Sequence, residues 1–154
     1  MGNIRDAYFS DVYPSGVVVG DGFTMAFTTS SAVNAYLPAG GKPGALTSSL
    51  VDPTSSSSGV FGGQVLALRL NLDFNDAGGI LSSDLEDFGS VVLPNTDTFF
   101  DGSSISEILD AAESALGGGW IDTVLNILVT NLNEAFDNCV PNDWAQTHLA
   151  PSQD

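Results

Sequence analysis

Oxygen donors are the chemistry this sequence offers in quantity. Fifteen of its nineteen carboxylates, all but Asp6, Asp11, Asp21 and Asp52, follow Arg69, the last cationic residue in the chain. Hard cations such as calcium take carboxylate, amide and carbonyl oxygens, and acidic loops rich in Asn and Gly supply them compactly. Three groupings have that make-up: Asp73, Asn75 and Asp76; Asp84, Glu86 and Asp87; Asn95, Asp97 and Asp101. The first nearly begins an EF-type loop, with Asp73 and Asn75 at the first and third ligand positions and Gly78 at the turn glycine. Ala77 stands where the fifth-position ligand belongs, and the twelfth residue is Asp84 rather than Glu. The calcium reading therefore nominates Asp73, Asn75, Asp76 and Asp84. The competing reading makes them turn and capping residues, a role Asp and Asn fill without any metal.

Other chemistries find less support. His148 is the only histidine and Cys139 the only cysteine, which removes an internal disulfide and a cysteine-built metal cage. A Cys–His or Ser–His nucleophilic pair would need the C-terminal tail to fold into a site, and that tail carries Pro141, Pro151 and no packing pattern. Paired carboxylates suit glycoside hydrolysis, but so many acids place some pair at a suitable distance by chance. The stretch PAGGKPGAL has the wrong glycine and lysine spacing for a phosphate loop. No enzymatic activity is expected. A carbohydrate-binding surface built on Tyr36, Trp120 or Trp144 is a separate reading.

The charge balance narrows the partners. Three basic residues against nineteen acidic ones give a net charge of −16, so nucleic acid, whose binding depends on Lys and Arg, is excluded as a partner, and anionic membrane surfaces are disfavoured. No run reaches transmembrane length, and MGNIRDAYFS lacks the apolar stretch of a signal peptide. At 43% hydrophobic the chain can bury a core, so its acidity does not make it disordered. Charged residues are only 14%, with Gly, Ser, Thr and Asn in their place, a composition that suits a secreted or surface protein. Export then requires that the chain be a processed form or a fragment of something longer.

These residues must be carried by elements. GVVVG (16–20) and FTMAFTT (23–29) read as short strands, and SSAVNAYL (30–37) as a short helix capped by Ser30 or Ser31 and stopped by Pro38. DPTSSSSG (52–59) reads as a flexible polar segment without packing value. Leu66, Leu68, Leu70, Leu72 and Phe74 alternate with Ala67, Arg69, Asn71 and Asp73, which predicts a strand with one polar face, although Leu, Ala, Gln and Arg favour helix. Ser104 and Glu107 form a capping-box pair that opens a helix with Ile105, Ile108, Leu109, Ala112 and Leu116 on one face, ended by the glycines at 117–119. A second helix from about Asp122 to Asn138 has Leu125, Leu128, Val129, Leu132 and Phe136 as its stripe. Glu107, Asp110, Glu113, Glu134 and Asp137 are expected on the solvated outer faces of this pair.

Three segments in this order, LPAGGKPGALTSSLVDPT (37–54), FGGQVLALRLNLDFNDAG (61–78), and FDGSSISEILDAAESALGGG followed by LNEAFDNC (100–139), resemble a module that recurs in very large secreted and surface proteins of bacteria. The resemblance implies an extracellular, non-catalytic, structural or adhesive building block, with no site residues to transfer. The partners it implies are other modules, further copies of the chain, or surface glycans. The expected fold is α+β, a small antiparallel sheet from the N-terminal half and 66–74 packed against a C-terminal αα-hairpin, with a mainly helical domain as the alternative. The expected organisation is an N-terminal segment (1–6), one globular module (7–139) and a tail or linker (140–154). Self-assembly into a filament through the apolar strands at 16–29 is a related expectation.

Overall fold

The computed structural model describes residues 2–78, 102–119 and 123–135, with side chains placed for 7–74, 102–119 and 124–135. The elements in chain order are α1 (Gly2–Val12), β1 (Val17–Val19), β2 (Met25–Phe27), α2 (Ser30–Tyr36), β3 (Leu50–Val51), α3 (Gly59–Gly78), α4 (Ile105–Leu116) and α5 (Thr123–Ala135). This is an α+β fold: a three-stranded sheet and a set of helices share one apolar core.

The sheet is mixed, not antiparallel. β1 and β2 pair antiparallel, Val17 opposite Phe27 and Val19 opposite Met25, while β2 and β3 pair parallel, Met25 opposite Leu50. A parallel neighbour needs a crossover, and α2 with the loop after it supplies one. α2 is capped by Thr29, one residue before the expected Ser30, its side chain accepting from the Ala32 N–H, and it ends at Leu37 ahead of Pro38. Asp52 closes β3: its backbone is left-handed (φ 48°), and its carboxylate accepts from the Thr28 N–H and hydroxyl, both at 2.7 Å. Those two bonds hold the Asp52 carboxyl below the ordinary Asp range.

The expected strand at 66–74 is instead the middle of α3. Phe61, Val65, Leu68 and Leu72 recur at helical spacing and form one buried stripe, while Leu66, Leu70 and Phe74 form a second on the opposite side. Two apolar stripes on one helix read along the chain as alternation. The reason for both is position: α3 packs against α1, α4, α5 and β1, so it is covered from several directions. Two polar seams remain between the stripes, Gln64 with Asn71 on one side and Arg69 with Asp73 on the other.

α4 and α5 match the expected hairpin partners. Ser104 caps α4 by accepting from the Glu107 N–H, and the predicted apolar residues Ile105, Ile108, Leu109, Ala112 and Leu116 are buried, as are Leu125, Leu128, Val129 and Leu132 on α5. Phe136 and Asp137 lie outside the described residues.

The end of α4 is where the N-terminal half attaches. The last carbonyls of a helix have no partner within it. Here those of Leu116 and Gly117 accept from the backbone N–H groups of Leu46 (2.8 Å) and Phe23 (2.9 Å), and the Glu113 carbonyl, already bonded to the Gly117 N–H, also accepts from that of Asp21 (2.9 Å). The approach is so close that a Cβ on Gly117 would collide with the Asp21 backbone. Gly117 therefore does more than end the helix.

The serine run is also built in. The Ser57 hydroxyl donates to the Ala45 carbonyl at 2.9 Å, Ser58 is fully buried, and the hydroxyls of Ser56, Ser58 and Tyr36 form one cluster. The expectation of a segment without packing value is corrected: Ser56–Ser58 anchor the start of α3 against loop 41–47.

Candidate functional site

The charged centre of the described structure lies on the second polar seam of α3. Arg69 and Asp73 are four residues apart, hence neighbours on one helix face, and Arg69 Nε donates to Asp73 Oδ2 at 2.8 Å. Arg69 Nη1 donates to Glu113 Oε1 on α4 at 2.9 Å. The Tyr13 hydroxyl, just beyond α1, donates to Asp73 Oδ2 at 2.8 Å. The Tyr13 ring is wedged between Phe9 and Phe74, with centroids 5.2 and 5.9 Å away. One guanidinium thus serves two carboxylates and joins α3 to α4, and one hydroxyl ties in the end of α1.

Burial tunes each member. It pushes the Tyr13 phenol well above its usual value, with the Asp73 charge adding to the effect, so Tyr13 remains a donor. Burial works against the Arg69 cation, but Asp73 and Glu113 outweigh it and hold Arg69 above its ordinary value. Glu113 is the informative member. An ion pair with Arg69 draws its carboxyl down, yet burial and the charges of Asp110 and Asp73 draw it up and prevail.

A second cluster occupies the other seam. The Asn133 amide on α5 donates to the backbone carbonyl and side-chain oxygen of Gln64 at 2.9 and 2.7 Å, and its oxygen accepts from Asn71 Nδ2 at 3.1 Å. α3 is therefore clasped to α4 by charge and to α5 by amides.

Of the nominated calcium ligands, Asp73 has its Oδ2 shared by a phenol and a guanidinium, so a cation placed there would face Arg69. The backbone from Asp73 to Gly78 continues α3, so Gly78 does not make the sharp turn an EF-type loop requires. The described residues do not fit that loop. Asn75 and Asp76 belong to the last turns of α3, with side chains outside the described set, and Asp84 lies outside the described residues, as do Glu86, Asp87, Asn95, Asp97 and Asp101. Among the described residues, no group of three or more His, Cys, Asp or Glu side chains is arranged to hold a metal.

Tyr36, nominated as a sugar platform, is buried beneath the hydroxyl cluster with Phe27 against its ring. Trp120, Trp144, Cys139 and His148 lie outside the described residues. Glu113, expected on the solvated face of α4, is instead turned to Arg69, its side chain only 14% exposed. The missed contributors were Tyr13, Gln64, Asn71 and Asn133. The signal available for the charged cluster was the four-residue spacing of Arg69 and Asp73, which the strand reading of 66–74 passed over.

Compared with models of protein families, with curated proteins and with solved structures, the chain matches none. No described helix is long and apolar enough to cross a membrane.

Proposed function

We propose that the chain is a non-catalytic structural or adhesive module of a bacterial extracellular or surface protein, whose partners are other modules, copies of itself or surface glycans. One observation supports the non-catalytic part: among the described residues, the clustered polar groups of the helix packing are spent on each other. Arg69, Asp73, Glu113 and Tyr13 hold helices together, as do Gln64, Asn71 and Asn133. A catalytic pair needs a group aimed at a substrate within hydrogen-bond reach. Here these donors and acceptors are paired with one another between elements of the fold. The extracellular part is supported by the resemblance of segments 37–54, 61–78 and 100–139 and by the Ser, Thr and Gly content.

Protease treatment of intact native cells, followed by detection with an antibody to this chain, tests the location. Loss of the signal while a cytoplasmic marker survives is the expected result. Full protection, with recovery only from the cytoplasm, would remove the reading.

A second reading, assembly through the sheet, has one observation in its favour. Val18, Ala26 and Val51 share a row across the outer face, and Val18 and Val51 are exposed. Of the segment 16–29, however, only β1 is an edge, since β2 is paired on both sides, and short edges are a means of discouraging such pairing. Sedimentation at high concentration decides between them: a single species at 15.9 kDa leaves no place for the filament.

A further inference from the structure

We propose that the junction of Tyr13, Arg69, Asp73 and Glu113 is a proton-responsive clamp, in which protonation of Glu113 tightens the packing of α3, α4 and the end of α1. Geometry sets up the imbalance. Asp73 receives two donors, Tyr13 and Arg69 Nε, whereas Glu113 has Arg69 Nη1. Glu113 is nonetheless the less exposed of the two carboxylates, at 14% against 28%. A charge held from water with one partner, which is itself shared, is the costliest in the cluster.

The surroundings add to that cost. α3 presents Arg69 and Asp73, and the chain after α1 presents neutral Tyr13. On α4 itself, Asp110 lies one turn away and repels. The loop between β1 and β2 brings Asp21, whose N–H is bonded to the Glu113 carbonyl. On α5, the described carboxylate is Glu134, which is exposed. One cation therefore stands among several carboxylates, and a proton on Glu113 removes the most deeply held surplus charge.

The direction of the response follows from linkage. Burial, then Asp110 and Asp73 against Arg69, leave the folded-state Glu113 carboxyl above its ordinary range. A group with a raised folded-state value contributes stability that is complete below the unfolded value, about 4.3 for Glu, and that is lost as pH rises through the folded value. Mild acid is where the clamp is tightest. Tyr13 keeps its proton throughout this window, so the Asp73 arm retains its donor.

Carbon-detected titration of the side-chain carboxyls in the intact folded chain reads this directly. The expected result is a Glu113 midpoint above about 4.3, moving downward in Asp110→Asn, where the like charge is gone. A midpoint at or below that value overturns the proposal. Thermal melts of the wild type and Glu113→Gln between pH 4 and 8 give an independent reading, since glutamine keeps an acceptor for Arg69 but cannot titrate. The wild type should gain on the variant as pH falls, and parallel curves would overturn the clamp.

Discussion

At the scale of single residues, the side chains that matter most are those whose neighbours leave no alternative. Gly62 sits inside α3, where alanine would ordinarily be favoured over glycine by roughly 1 kcal/mol. A Cβ there would lie 2.8 Å from the Tyr36 hydroxyl oxygen and closer still to Ser58 Oγ, within the cluster that seats the helix start. Gly62→Ala should therefore lose stability by about 1–3 kcal/mol, the usual cost of overpacking, in urea unfolding. Gly40→Ala, where the added carbon meets nothing within 4 Å, should stay within roughly 0.5 kcal/mol of wild type. A Gly62→Ala variant more stable than wild type would show that helix propensity, not the hydroxyl cluster, governs this site. Arg69→Met poses the complementary question. It strands Asp73 and Glu113 without their shared cation, and because Arg69 is itself about a third exposed the cost should fall near 1–3 kcal/mol, below that of a fully buried pair. That cost should shrink as acid neutralises Glu113, whose carboxyl is held above its ordinary range, which unfolding curves at neutral and mildly acid pH would reveal.

Among the elements, α3 decides the architecture, and it is also where reading the chain residue by residue goes wrong. Alternation of Leu66, Leu68, Leu70, Leu72 and Phe74 fits a half-buried strand, and the same five residues fit two faces of a helix packed on opposite sides. Periodicity cannot separate these, because it records which residues are buried and not how many neighbours bury them. Helix propensity pointed the right way here. α4, with one apolar face and a Ser104 cap, carried an unambiguous signal, and so did the termination at Gly117. What no local pattern contained was the pairing across distance: Asn133 with Gln64 and Asn71, Glu113 with Arg69, Tyr13 with Asp73. Asn133→Leu should cost about 1–3 kcal/mol by leaving the Gln64 and Asn71 amides without their partner. Adding Asn71→Leu should cost less than the separate effects combined, since one bond is then lost from both ends. Simple additivity in that double-mutant cycle would mean the amide clasp is geometric coincidence.

On the scale of the whole molecule, the excess of acid is the property with the widest reach. A net charge of −16 on a chain of 154 residues is self-repulsion that folding must overcome, and salt screens it over a Debye length of about 10 Å at 0.1 M. The melting temperature should rise as sodium chloride is raised from about 10 to about 150 mM, a range over which that length shortens from roughly 30 to 8 Å. Calcium separates a solvated coat from a built site. The helical backbone from Asp73 to Gly78 and the commitment of Asp73 to Arg69 and Tyr13 argue for the coat. At fixed ionic strength, then, millimolar calcium and magnesium should shift the melt equally. A calcium-specific rise would demand a folded-state site of the kind whose hundredfold saturation adds about 2.7 kcal/mol. If that rise survived in Asp73→Asn, its ligands would have to be sought among the other nominated residues, Asn75, Asp76 and Asp84, and if it vanished, Asp73 would have to leave its ion pair to bind the metal. Either result would replace the clamp at Asp73 with a competition between arginine and calcium for one carboxylate, or separate the two altogether. Equal shifts would instead mean that the carboxylates act as a solvated coat and that Asp73 stays with Arg69 and Tyr13.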